Sequence, residues 1–184
     1  MTRRSILYAV TIGVAVAAGG CAARPFPDNA GAAAQLADLR KDWRQQKDGM
    51  MMIADAMPED KFGYKPTAAQ RTYGEQIMHV AVGNVALFQQ LLGGKAAAPS
   101  FTAESATTKM QTLKALSDSY DYGTAVLSEQ TPASINDVRD MPYFGPSTRG
   151  RVVWSMLSHA MDIYGQMAVY LRLNGIVPPA SRGI

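Results

Sequence analysis

Apolar side chains recur at helical spacing in four separate stretches of the chain. In the first, Leu36, Leu39, Trp43, Met50, Ile53 and Met57 are separated by Asp38, Lys41, Asp42, Arg44 and Lys47. Steps of three and four predict an amphipathic helix from Ala33 to Met57, ended by Pro58. Met50, Met51 and Met52 point in three directions on such a helix, so they read as packing rather than as a soft-metal site. A polar link with Gly63 and Pro66 leads to Thr72 and, three residues on, Glu75. That pair is a capping box, in which hydroxyl and carboxylate each accept a backbone N–H at the helix start. The second helix carries Ile77, Val80, Ala81, Val85, Phe88 and Leu91 and stops at Gly93-Gly94. A third is expected over residues 103–128, with Met110, Leu113, Tyr120, Thr124 and Leu127 on one side. The fourth spans residues 148–174, with Val153, Met156, Leu157, Ala160, Ile163, Met167 and Leu171 inward; Gly175 closes it and Pro178-Pro179 prevent resumption.

No period-2 alternation predicts a strand. Residues 131–149, with Pro132, Pro142, Gly145 and Pro146, read as the longest irregular stretch, of the kind that covers a site or a core face. Four amphipathic helices predict an all-α fold, a four-helix bundle over residues 33–181 with every apolar stripe inward.

The opening residues follow a different pattern. Arg3 and Arg4 precede an apolar run from Ile6 to Ala18, then Gly19, Gly20 and Cys21. The run is shorter than the roughly 20 residues of a membrane span and has the order of an export signal, here assigned to residues 1–20. Thr2-Arg3-Arg4-Ser5-Ile6-Leu7 also resembles a twin-arginine signal. Ala18-Gly19-Gly20-Cys21 resembles a lipoprotein processing box, although Ala18 stands where a larger aliphatic residue is usual. On this reading Cys21 carries the lipid, residues 21–32 form a tether, and the bundle lies on the periplasmic side of a bacterial membrane. Cleavage after Ala23 by an ordinary signal peptidase is the competing reading.

Composition narrows the function classes. The 184 residues are 47% hydrophobic, enough for one domain with a sizeable core. Removing residues 1–20 leaves 16 basic residues against 15 acidic ones, a balance that predicts no nucleic-acid partner. Cys21 is the single cysteine, which excludes a disulfide scaffold and leaves the bundle without a thiol nucleophile. No phosphate loop, His-Glu-x-x-His motif or serine elbow is present.

The polar residues near the apolar stripes are the remaining candidates. His79 and His159 are the two histidines, one on the second helix and one on the fourth. Two imidazoles make neither a zinc site nor a facial triad without a further ligand; Asp162, three residues beyond His159, is the nearest carboxylate in sequence. Asn84, Tyr164 and Gln166 lie close to the same stripes and suit local hydrogen bonds. Arg149 and Arg151, at a helix start, suit a salt bridge or solvent contact at least as well as a bound anion.

Thr72-Tyr73-Gly74-Glu75-Gln76-Ile77-Met78-His79-Val80-Ala81, with Asn84 beyond it, resembles the second helix of the DinB/YfiT-like superfamily. Ser158-His159-Ala160-Met161-Asp162-Ile163-Tyr164-Gly165-Gln166 resembles its fourth helix, and the stretch from Tyr170 to Ser181 its closing motif. The resemblance implies a bundle, commonly a homodimer, that in many members holds zinc or nickel on three histidines; known activities include thiol-dependent S-transfer and maleylpyruvate isomerisation. Two of the implied ligands match His79 and His159. The third position is Ile163, which cannot ligate, so Asp162 is the substitute ligand if any metal binds. Two readings follow: a non-catalytic or ligand-binding envelope protein with a degenerate metal site and no cofactor, or a divalent-metal-dependent transferase or hydrolase-like enzyme using His79, His159 and Asp162.

Overall fold

The computed structural model describes residues 29–141 and 145–183. The export signal and the lipidation of Cys21 lie outside the described residues. Four helices, α1 (Asn29–Asp55), α2 (Tyr73–Leu87), α3 (Lys109–Glu129) and α4 (Arg149–Leu173), pack around one continuous core. α1 and α4 run parallel, since Gly31 and Ala34 share a groove with Gly150 while Met52 shares one with Met161. α2 and α3 both run the opposite way, as the cross-helix pairs Gln76–Gln166 and Arg40–Leu127 require. Each of α1 and α4 therefore contacts α2 or α3 as an antiparallel neighbour, with α1 diagonal to α2. The α2–α3 connection must cross the length of the bundle, which explains why residues 93–108 form a long strap instead of a tight turn.

The helix ends are fixed by local chemistry. Thr72 and Glu75 form the expected capping box, with Thr72 N–H donating to Glu75 Oε2 at 2.7 Å and Glu75 N–H to Thr72 Oγ1 at 3.2 Å. α2 runs on into a π-helical turn, Phe88–Leu92, before Gly93 at φ 64° ends it. At the far end of α3, the Arg40 guanidinium donates to the carbonyls of Leu127, Ser128 and Gln130, where the helix runs out of its own N–H donors. Lys109 does the same for α1 through the Asp55 carbonyl and carboxylate. Gly175 takes the left-handed conformation that closes α4, at φ 73°.

Three expectations change. α1 begins earlier than expected: residues 29–32, assigned to a tether, already belong to it and Ala32 is buried, because an alanine-rich run favours helix strongly enough to carry Gly31 with it. α3 begins at Lys109 rather than near residue 103, because Thr108 and Gln111 form a second capping box. Met110 then falls in the first turn, 77% exposed, and the buried face is drawn by Thr112, Leu116, Tyr120, Gly123 and Leu127. The stretch 131–149 is also not wholly irregular. β1 (Val138–Met141) and β2 (Gly145–Thr148) form an antiparallel hairpin, with Met141 opposite Gly145 and Val138 opposite Thr148. Each strand buries one side chain, Met141 or Ser147, too few to write an alternating pattern into the sequence. Arg149 anchors this cover, donating to Leu92 O at 2.8 Å and Gln130 Oε1 at 2.9 Å and pairing with Asp137 at 3.4 Å. It is a structural link, the salt-bridge reading of that residue.

The centre of the bundle is set by Trp43. Its indole N–H donates to Tyr120 O at 2.9 Å, and its ring meets Phe88 edge-on and Tyr120 at a tilt, with centroids 4.8 and 4.7 Å away. Space for it on α3 exists because residue 123 is glycine: a Cβ there would lie 2.5 Å from Trp43 Cζ2. Gly123→Ala is expected to destabilise the fold by about 3 kcal/mol, the upper part of the range for overpacking, since the indole is held on both faces. Gly83→Ala, where nothing lies within 4 Å, should instead stabilise by up to about 1 kcal/mol through helix propensity. Urea unfolding of both variants checks the contrast; similar shifts for the two would show that the notch is not filled as described.

Candidate functional site

The seam between α2 and α4 is polar along one side. One turn apart on α2, Gln76 and His79 face Gln166 and His159 on α4, because antiparallel helices bring residue pairs of nearly constant index sum together. His79 Nε2 and His159 Nε2 are 3.1 Å apart, with the rings edge-to-face at 78°. That contact is an N–H···N hydrogen bond in which one ring donates and the other accepts, so the two hold opposite tautomers. Gln76 Nε2 donates to Gln166 Oε1 at 2.8 Å, and Gln166 Nε2 donates in turn to Asp162 Oδ2 at 3.0 Å. Tyr170 ends the seam by donating to Arg71 O at 2.8 Å. Asn84 lies elsewhere, donating to Ser119 Oγ at 3.3 Å between α2 and α3.

Both imidazoles are half-buried and bind a proton less readily than usual. Burial is the main reason for His79, followed by the positive charge of Arg71 and then that of a protonated His159. Burial also lowers His159, where the Asp162 carboxylate opposes the shift and Arg71 adds to it. An N–H···N bond needs at least one neutral ring to accept it, a condition that this reduced proton affinity favours. Beside His79 a cleft of about 440 Å³ opens between α2 and the α2–α3 strap, lined by Arg71, Glu75, Met78, Val82 and Ala103. Sequence periodicity did not single out Arg71, which precedes its helix and joins the site only when the strap folds over α2.

A tetrahedral ion holding two imidazole nitrogens at 2.0–2.1 Å sets them about 3.3 Å apart, close to the spacing of this pair. The third donor is where the fit fails. Ile163, one turn beyond His159, is 3% exposed and packed into the core. Asp162 is exposed and bonded to Gln166. Among the described residues no group of three or more His, Cys, Asp or Glu is gathered to hold a metal. The residues present fit a pair of donors and not a three-ligand centre. The seam supplies instead a proton-sensitive pair next to a cleft with an apolar wall and one arginine.

The pair makes stability depend on pH. Each ring has a folded pKa below its ordinary 6.5, so the unfolded chain takes up protons first. Its contribution is complete above about pH 6.5 and is lost as the pH falls below that value toward the folded pKa. The urea midpoint of the native protein should therefore drop between about pH 7 and pH 5.5, and that of His79→Phe/His159→Phe should change less over the same window. Parallel curves for the two proteins would place the pH dependence in other groups.

Among the described residues no helix is long and apolar enough to cross a membrane. No curated protein matches the chain. A crystal structure of a DinB-like protein from Bacillus cereus is similar in fold, with a TM-score of 0.67 at 17% identity, the match covering 77% of this chain and 93% of that one. The family model of the DinB superfamily matches residues 42–167, the segment that contains Trp43, both histidines and Ile163. The chain is a member of the DinB superfamily.

Proposed function

We propose that this protein is an exported, lipid-anchored bundle that binds a small molecule without metal catalysis, and that His79 and His159 are what remains of a metal site. The observation that carries the reading is the pairing of the two Nε2 atoms with each other while Ile163 fills the third position from the core side. A ring nitrogen already used in a ring–ring hydrogen bond is not free for a metal without breaking that bond. Restoring a three-ligand centre would also require a buried apolar side chain to be replaced, not merely rotated. The cleft beside His79 offers a ligand the apolar surfaces of Met78, Val82 and Ala103 with Arg71 at its edge. Lipidation at Cys21 would hold this cleft near a membrane, since α1 starts eight residues after the cysteine.

A second reading, a divalent-metal-dependent transferase or hydrolase-like enzyme using His79, His159 and Asp162, is favoured by one observation. The 3.1 Å spacing of the two nitrogens is near that of a shared ion, and Asp162 lies close enough to act on the charge of His159. Metal analysis after loading with zinc or nickel and gel filtration separates the two. The expected result is no retained metal in the native protein and near-stoichiometric metal in Ile163→His. Stoichiometric metal in the native protein that disappears in His79→Ala or His159→Ala would overturn the non-catalytic reading.

A further inference from the structure

We infer that the end of the bundle where α1 begins rests on the bilayer surface, with Trp154 and Val138 entering the lipid headgroup layer. The inference rests on the lipid-anchor part of the proposed function and does not depend on what the α2/α4 seam binds. α1 begins eight residues after Cys21, a stretch that spans at most about 28 Å. A lipid on Cys21 therefore holds the start of α1 within that distance of the membrane. α1 is itself about 40 Å long, so the two ends of the bundle are far from equivalent in their access to lipid.

Two large apolar side chains are exposed at the anchored end. Trp154, in the second turn of α4, is 59% exposed, and Val138, which opens β1, is 58% exposed. A hollow of about 630 Å³ joins this region to the start of α1, lined by Gly31 and Ala34 together with Thr148 and Trp154. Val138 is the strand partner of Thr148, so both side chains lie around the point where the chain arrives from Cys21. Tryptophan is enriched at membrane interfaces, where its ring meets the acyl boundary and its N–H meets the headgroups.

Charge does not direct the contact. Around the hollow and the hairpin, Asp38, Asp137 and Asp140 stand against Arg139, Arg149 and Arg151, a balance with no net pull toward anionic headgroups. The contact is therefore apolar and forms on neutral phosphatidylcholine. Two side chains are too few to hold a free protein on a bilayer, but a lipid on Cys21 makes their encounter intramolecular. The start of α2 lies at the opposite end, since Tyr73 donates to the Ile53 carbonyl near the end of α1. Resting on the α1 start thus turns Arg71, at its edge of the cleft beside His79, toward water.

The test uses the full chain in phosphatidylcholine vesicles, with Cys21, its single cysteine, coupled to a maleimide-headgroup lipid. Lipids brominated near the glycerol end of the acyl chains are expected to quench tryptophan emission. Trp154→Phe should abolish that quenching, because Trp43 is 1% exposed in the core. Val138→Asp should weaken it, whereas Met110→Asp should leave it unchanged, since Met110 is 77% exposed at the opposite end, next to the Lys109–Asp55 pair. Helical circular dichroism checks that each variant folds. Emission that brominated lipids do not quench, quenching that survives Trp154→Phe, or equal effects of Val138→Asp and Met110→Asp each overturn the inference. So does a Trp154 already shielded from aqueous acrylamide before vesicles are added, which assigns the patch to a protein contact. Mass spectrometry of the chain recovered from bacterial membranes tests the anchor separately. Cys21 without acyl chains overturns the lipid anchor, and an unquenched Trp154 in the coupled chain overturns the contact alone.

Discussion

The bundle depends on one indole fitted against one missing side chain. Trp43 projects from α1 across the middle of the core, donates to the Tyr120 carbonyl of α3 and meets Phe88 at the end of α2. α1 and α2 are diagonal, and this contact ties them directly together with the hydrogen bond that buried Tyr73 of α2 donates to the Ile53 carbonyl of α1. Gly123 is the condition for this arrangement, since a methyl group there would lie inside the ring's van der Waals envelope. Once Trp43 is seated, α1 and α3 are fixed in register, and Arg40 and Lys109 reach the helix ends that each caps. Burial of a large aromatic with its N–H satisfied provides both the stabilisation and the alignment.

The two seams of α4 have opposite characters. Toward α2 it presents His159, Gln166 and Tyr170, which bond directly to α2 or to its approach. Toward α1 it presents a mixed set, with Gly150, Arg151, Trp154, Met161 and Tyr164 lining grooves. The polar seam fixes register because each hydrogen bond has one partner, and a slip of one residue would leave buried amides and imidazoles unpaired. Gln76 Oε1 is already without a partner, so the seam has little capacity to lose another bond. On the proposed function ligand binding would use the same seam, so that stability and binding would share residues. Ile163, one turn beyond His159, contributes to packing instead, buried on the apolar side of α4.

The elements most legible in the sequence were those written in local chemistry. The Thr72–Glu75 box, the Gly93 and Gly175 stops and the apolar stripes of α1, α2 and α4 needed nothing beyond neighbouring residues to be read. The expected start of α3 near residue 103 was too early because its true start is written in a second capping box, Thr108 with Gln111, and not in the apolar spacing. The hairpin was missed because a two-stranded ribbon folded over a helix end needs only one inward side chain per strand. Of the candidate site, both histidines and Gln166 were found from their faces, whereas Arg71 and Gln76 become part of it only through α4 and the strap.

By itself the sequence determined that four amphipathic helices exist, where most of them end, and that two histidines are too few to hold a metal alone; that Ile163 stands at a third ligand position is what the family resemblance implies. The properties read from the residues follow from side-chain spacing, capping groups and the number of donors a metal needs. Only the tertiary structure decided that the remaining histidines bond to each other, that Asp162 turns to Gln166, and that Arg149 and Arg40 cap distant carbonyls. Those outcomes join residues about 20 to 90 positions apart in some cases, or choose between two nearby partners in others. Such choices are set by helix direction and register, which the packing of Trp43 into Gly123 fixes and no local pattern encodes.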